Sequence, residues 1–282
     1  MQEHLYQCKY RIQALNNREI EVNKHMEDSG YSDLLGQLQQ HYTQNKTSVY
    51  VPTFGASVNV TPISVKQHKD ILTVEDNLLL TSFQFGININ NIILENVTDA
   101  SKLSVLDRAS ILLSLKADAD DGLTTVDIDN VKHKTDLSEH VKSFSEIKVP
   151  KKLLGCTASH KELKIVCKTP TIAYDNDVNK QIMKTMSDKN KDSVLSTMGE
   201  VFVYEIAKYI QEFSTPSVDI SFESLTFDQK VEVVERIPLQ LSNKIISYIN
   251  DIKAFENKFT ECKNTKGENI SVPLSVALFA GD

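Results

Sequence analysis

Residues 47–72 read TSVYVPTFGASVNVTPISVKQHKDIL, and this order of residue types leaves the segment few ways to fold. Val49 and Val51, then Val58 and Val60, alternate with other residues, and β-branched side chains suit a half-buried pleated surface. Pro52, Gly55 and Ser57 between them supply turn chemistry, so the economical arrangement is a hairpin. Pro62 closes the second strand. Ser64 followed by Gln67 has the spacing of a capping box, which predicts a helix starting there. A strand pair running into a capped helix is a unit on which later segments can pack.

Further along, residues 87–97, ININNIILENV, carry Ile87, Ile89, Ile92 and Ile93, a spacing that suits a buried helix or a strand equally. Thr98-Asp99-Ala100-Ser101 is a polar turn. In residues 102–116 Ser104 is a cap with Asp107 at the positive helix end, and Val105, Ala109, Leu112 and Leu113 make one apolar face. A strand is expected over 124–131 with Val126, Ile128 and Val131 inward. Residues 136–155 are charged and aperiodic, as in a loop with short strands. Leu163, Ile165 and Cys167 alternate as a strand before Pro170-Thr171. Helices are expected over 176–193, 194–213, 227–237 (capped by Thr226 with Gln229) and 239–255, with Pro238 between the last two. A small hairpin around Lys266-Gly267 and an apolar tail, Leu274 to Phe279, follow. Residues 1–46 differ: sparse apolar positions (Leu5, Ile12, Leu15, Ile20, Val22, then Leu34, Leu35, Leu38 after the Asp28-Ser29-Gly30 break) give two weak helical stripes. The expected organisation is an N-terminal helical or flexible arm, 1–46, an α+β body, 47–170, and a mainly helical half with a terminal hairpin, 171–282. The fold class is α+β.

Charge narrows the function. With 38 acidic against 31 basic residues the net charge is −7, whereas a general nucleic-acid binder needs excess Lys and Arg to displace counterions. Neither a leader with a basic start nor a membrane-length apolar run is evident, so no membrane partner is expected. Cys8, Cys156, Cys167 and Cys262 include no CxxC and are expected as reduced thiols. His4 and Cys8, one turn apart, are too few for a metal site. Asp118-Ala119-Asp120-Asp121-Gly122 fails as a calcium loop because position twelve is Asp129 in the expected strand; a polar turn accounts for it, and for Asp175-Asn176-Asp177, better. GxSxG, HExxH and phosphate-cradling glycine loops are missing, and His133 and His140 suit a surface better than a base. No enzyme and no cofactor are expected.

Four features in order resemble the baseplate hub assembly family of T-even-type contractile-tailed phages: the Pro-containing hairpin ending in Thr-Pro-Ile before SVKQHKDIL, the KLSVLDRASILLSLK helix, the ELKIVCKTP strand ending in Pro170-Thr171, and the closing run. That closing run comprises Pro238 between helices, a hairpin bearing Cys262 with Gly267-Glu268 at its tip, and Leu278-Phe279. The resemblance covers residues 47–282 and implies a helix at 87–97. Many members carry a cysteine pair in the last hairpin, but Thr265 stands where the second would sit, so zinc is not expected. The resemblance implies a non-enzymatic tail protein that builds or joins the central hub through contacts with other baseplate or tail subunits, in the host cytoplasm during assembly and in the virion baseplate. The alternative is a zinc-ribbon-like protein-binding module without its metal. Leu274, Val276, Leu278 and Phe279 are the candidate partner-binding residues; the competing expectation is that the tail closes the core.

Overall fold

The computed structural model describes residues 30–73, 78–128, 131–188 and 194–280. The chain divides into two units, Met1–Lys46 and Thr47–Asp282. Of the first, a helix α1 over residues 30–44 is described. The stripe expected from Leu5 to Val22, and the pair His4 and Cys8, lie outside the described residues.

The second unit opens with the expected hairpin. Strands β1 (Thr47–Val51) and β2 (Ala56–Val60) pair antiparallel, and Gly55 takes a positive φ of 61° in the turn, a conformation that glycine adopts without Cβ strain. Val49, Val51 and Val60 are buried. Ser64 and Gln67 form the full capping box of α2 (Val65–Ile71). Residues 87–97 resolve as helix, within α3 (Leu78–Asn96), with Ile87, Ile89, Ile92 and Ile93 all buried. Asn96 at its end holds the chain after β2, donating to the carbonyls of Thr61 and Pro62 at 3.1 Å each.

Ser104 and Asp107 form a capping box on a single 3-10 turn, from which α4 (Arg108–Ala119) continues. Asp107 does more than sit at the helix start. Its carboxylate also accepts from the Thr53 amide at 2.8 Å and the Thr53 hydroxyl at 2.6 Å, tying the hairpin turn to α4. Burial pushes its carboxyl up against the opposing pull of those bonds. The single apolar face expected for α4 is too narrow: every residue from Ala109 to Ala117 is buried, and a helix buried all round belongs to a core. Its serines bond inward, Ser110 to the Tyr50 carbonyl at 2.7 Å and Ser114 to Ser110 at 2.8 Å.

Three expectations need correction. The single strand over 124–131 is a hairpin of β3 (Leu123–Ile128) and β4 (Val131–Asp136), and Val131 is 54% exposed rather than inward. The stretch expected as loop after Asp136 begins as α5 (Leu137–Lys142), capped by Asp136, and ends in β5 (Gly155–His160). The helix expected over 194–213 is α7 (Val194–Tyr209) followed by β7 (Ile210–Ser214). The reason is tertiary: β6 (Leu163–Lys168) has β5 on one side, and β7 satisfies the backbone groups on the other. With β8 (Asp219–Ser221) the antiparallel order is β5-β6-β7-β8.

Between β6 and α7 runs α6 (Ile172–Asp188). Thr226 and Gln229 box the start of α8 (Phe227–Glu235), and Pro238 precedes α9 (Leu239–Thr260). Leu241, Ile245, Tyr248, Ile249, Ile252, Phe255 and Phe259 of α9 are buried at helical spacing. Strands β9 (Glu261–Lys263) and β10 (Asn269–Ser271) make the last hairpin, bridged to β4 through Thr135 and Asn264.

Gly122, which links α4 to β3, has a φ of +91°, and a Cβ there would overlap the Ser138 side chain, whose own Cβ would lie 2.8 Å away. Gly267 has φ +84° with open space. Gly122→Ala is therefore expected to cost about 3 kcal/mol, strain plus overlap, and Gly267→Ala about 1 kcal/mol from strain alone. Urea unfolding checks both, and adding Ser138→Gly should recover part of the Gly122→Ala loss.

Candidate functional site

Two short backbone contacts bring the starts of α4 and α6 together. The Val105 amide donates to the Pro170 carbonyl at 3.1 Å and the Ile172 amide to the Leu103 carbonyl at 2.9 Å, around the bridge Ser104–Thr171. Arg108, the first residue of α4, and Asp175, in the first turn of α6, then meet.

Asp175 is 3% exposed. One carboxylate oxygen accepts from Arg108 at 2.5 Å, Asn90 of α3 at 2.9 Å and Asn179 at 3.2 Å. The other accepts from Lys208, near the end of α7, at 2.8 Å. Lys208 also reaches Glu205 at 2.7 Å. Burial acting alone would push the Asp175 carboxyl up, but Arg108 and Lys208 outweigh it and hold the group well below the usual carboxylate range. Burial likewise opposes the Lys208 charge, yet Glu205 and Asp175 hold it above the ordinary lysine value. The arithmetic favours the cations: neutral hydrogen bonds of about 1 kcal/mol each do not offset the several kcal/mol lost on burying a lone charge.

The chemistry of this cluster is structural. A carboxylate held ionised between two cations is a poor proton carrier. It joins α3, α4, α6 and α7 at one point. Three buried polar atoms around it have no partner: Asn90 Oδ1, Asn176 Oδ1 and Arg108 Nε. Beside it lies a cavity of about 130 Å³ lined by Lys168, Thr171, Tyr174, Tyr209, Phe222 and Lys230, with Lys208 at its wall. Lys230, 8% exposed, donates to the Tyr174 hydroxyl at 3.0 Å, its ammonium 5.0 Å from that ring's centroid.

Asp175-Asn176-Asp177 is thus not a polar turn but lies within the first two turns of α6. The signal available was charge in apolar company: Arg108 and Lys208 each sit among residues whose neighbours belong in a core, and buried cations need counter-ions. Asp118 to Gly122 does end a helix in a turn, with Asp120 accepting from Lys116 at 2.9 Å and Thr124 at 2.8 Å. His140 donates to the Phe259 carbonyl at 2.6 Å, and His133 accepts from Asn264 at 3.2 Å. Cys262 is buried beside the Thr135 hydroxyl at 3.4 Å, while the Thr265 amide donates to Lys134. Among the described residues no group of three His, Cys, Asp or Glu side chains could hold a metal ion.

The tail residues separate into two sets. Leu278 and Phe279 are each 1% exposed; His68 donates to the Phe279 carbonyl at 2.9 Å, and the Lys116 ammonium lies 5.6 Å from its ring centroid. Leu274 and Val276 are half-buried at the margin of the same core.

Compared with known families, residues 43–279 match the family described as T4 bacteriophage base plate protein. No curated protein and no solved structure matches the chain.

Replacing Asp175 with Asn should leave Arg108 and Lys208 opposed without their shared anion, costing about 3–5 kcal/mol and lowering Tm on the order of 10 °C. The sign with pH follows from the depressed carboxyl. Its contribution is full above the unfolded carboxylate range, near pH 4, and is lost as pH falls toward the lower folded value. Thermal melts from pH 7 to pH 2 should show a shallower acid decline for Asp175→Asn than for wild type. Equal slopes would mean that the folded carboxyl is not held ionised.

Proposed function

Since the chain belongs to the T4 bacteriophage base plate protein family, we propose that it serves, without catalysis, as a protein of the central baseplate hub, acting through protein–protein contacts. Membership makes it a phage baseplate protein; the hub and the mode of action are the further step. The observation that carries the contact mechanism is the apolar face of α1. Tyr31 is 63% exposed, Leu34 52%, Leu35 47% and Leu38 55%, and they recur at the spacing of one helical stripe. An apolar helix face gains stability when it is covered. The cover proposed here is an apolar groove of another baseplate subunit, a common way for an amphipathic helix to dock.

The remaining observations fit this role. The network around Asp175 braces helices. The net charge of −7 disfavours a hold on packaged nucleic acid. Among the described residues no helix is long and apolar enough to cross a membrane. Assembly would take place in the host cytoplasm, before the protein is carried in the virion. In the tail, the contact residues of this proposal are Leu274 and Val276, half-buried at the margin of the core, while Leu278 and Phe279 support the fold beneath them.

A chain beginning at Thr47 should keep the Tm of the full chain yet fail to enter baseplates in infected cells, as judged by probing purified virions and sedimented hubs. Loss of folding on truncation, or normal incorporation, would count against the arm as the docking element. In the tail, Leu274→Ser with Val276→Ser should lower Tm little while reducing hub incorporation. Leu278→Ser with Phe279→Ser should instead cost more than about 4 kcal/mol and be seen first as unfolding. Recovery of the protein from virions in a complex outside the hub would overturn the hub assignment.

A further inference from the structure

Cys156 and Cys167 are separated in sequence but stand directly opposite each other on β5 and β6. Opposed residues of an antiparallel pair have Cα atoms about 4.5 or 5.5 Å apart, depending on the ladder position. Both spacings lie within the range of roughly 4.4–6.8 Å that a disulfide spans. The side chains share one face: Cys156 lies in line with Ala158 on β5, and Cys167 with Ile165 on β6, and Ala158, Ile165 and Cys167 are buried. The two thiols interact side by side, near Tyr248 of α9. Both are free in the structure, Cys156 partly exposed and Cys167 at 1% exposure. Neither takes part in the Asp175 network or in the proposed docking surfaces.

We propose that Cys156 and Cys167 form a thiol–disulfide site, closed into a cross-strand disulfide by a small-molecule disulfide once the protein leaves a reducing compartment. Cys156, the more exposed of the two, reacts first. It loses its proton, its thiolate attacks one sulfur of oxidised glutathione, and one glutathione leaves as thiolate, giving a mixed disulfide. Cys167 then loses its proton and attacks the Cys156 sulfur, expelling the second glutathione. Two protein thiols are oxidised to one disulfide and one glutathione disulfide is reduced to two thiols, the two protons given up by Cys156 and Cys167 being taken up by the two leaving glutathione thiolates. Burial pushes both thiols up, Cys167 the more strongly, so the reaction is slow at neutral pH and faster in mild base. In the reducing compartment where the chain folds and assembles the pair is expected to stay reduced. The bond would fasten β5, the outer strand of its sheet, to β6. That the change of compartment is release of the virion rests on the baseplate assignment above; the chemistry of the pair does not.

The test uses the purified full chain, reduced and then exposed to oxidised glutathione at pH 8.5, with free thiols alkylated before peptide mass spectrometry. The expected product is a peptide pair joined through Cys156 and Cys167, two hydrogens lighter than the reduced form, with Tm raised by roughly 5 °C. Cys167→Ser should stall at a glutathione adduct on Cys156, and Cys156→Ser should leave Cys167 unreacted. A lasting adduct on Cys156 of the wild type, or both thiols fully alkylated after exposure, would overturn the pairing. The same peptides from rapidly alkylated infected cells should be reduced, and those from purified virions joined. A chain present in virions with both thiols free would sink the compartment-linked closure, whereas a chain missing from virions that still joins in vitro would count against the baseplate role alone.

Discussion

One buried carboxylate holds much of this structure together. Asp175 sits at the first turn of α6 and is met by Arg108 from α4, Lys208 from α7 and Asn90 from α3. A lone charge at that depth would be strongly unfavourable, and so would either cation without its anion. In this arrangement of the four helices Asp175 is answered by both Arg108 and Lys208. Apolar packing alone tolerates many near-equivalent repackings; an ion cluster with fixed geometry does not. The three unpartnered polar atoms around it mark where this polar core is incompletely satisfied.

The cluster depends in turn on a small piece of backbone. The contacts of Leu103 and Val105 with Pro170 and Ile172 set two helix starts beside each other, and the charged side chains follow one turn later. The same corner carries the Ser104–Asp107 capping box, whose aspartate reaches the hairpin turn through Thr53. Hairpin, central helix and α6 are thus registered within a few residues of chain. α4, buried on all sides, is the member against which β1, α5 and α9 pack.

For a baseplate protein this division of labour makes physical sense. An assembling subunit gains little from a reactive cleft and much from a body whose contact surfaces keep their shape. Rigidity comes from the ionic corner and the aromatic contacts of α9, where Phe255, Phe259 and Phe144 meet edge to face. The adhesion proposed above falls to exposed apolar residues, chiefly Tyr31, Leu34, Leu35 and Leu38 of α1. The tail shows both roles within six residues. Leu278 and Phe279 are held in the core, and Leu274 and Val276 remain at its margin.

Local chemistry was legible from the residues alone. The capping residues Ser64, Ser104 and Thr226, the glycine turn at Gly55, the α9 stripe and the last hairpin follow from propensities and spacings that act within a few residues. The same local information, with its ordered resemblances, was enough to place the chain among phage baseplate proteins. Tertiary structure decided what depends on distant partners. Residues 210–214 are a strand because β6 offers an open edge, not because their own pattern excludes a helix. Val131 faces outward because the chain reverses before it. Asp175, unremarkable beside Asn176 and Asp177 in sequence, is buried and ionised because Arg108 and Lys208 arrive from helices far along the chain. Cys156 and Cys167 face each other for the same reason: strand pairing places opposite one another residues that no sequence spacing announces.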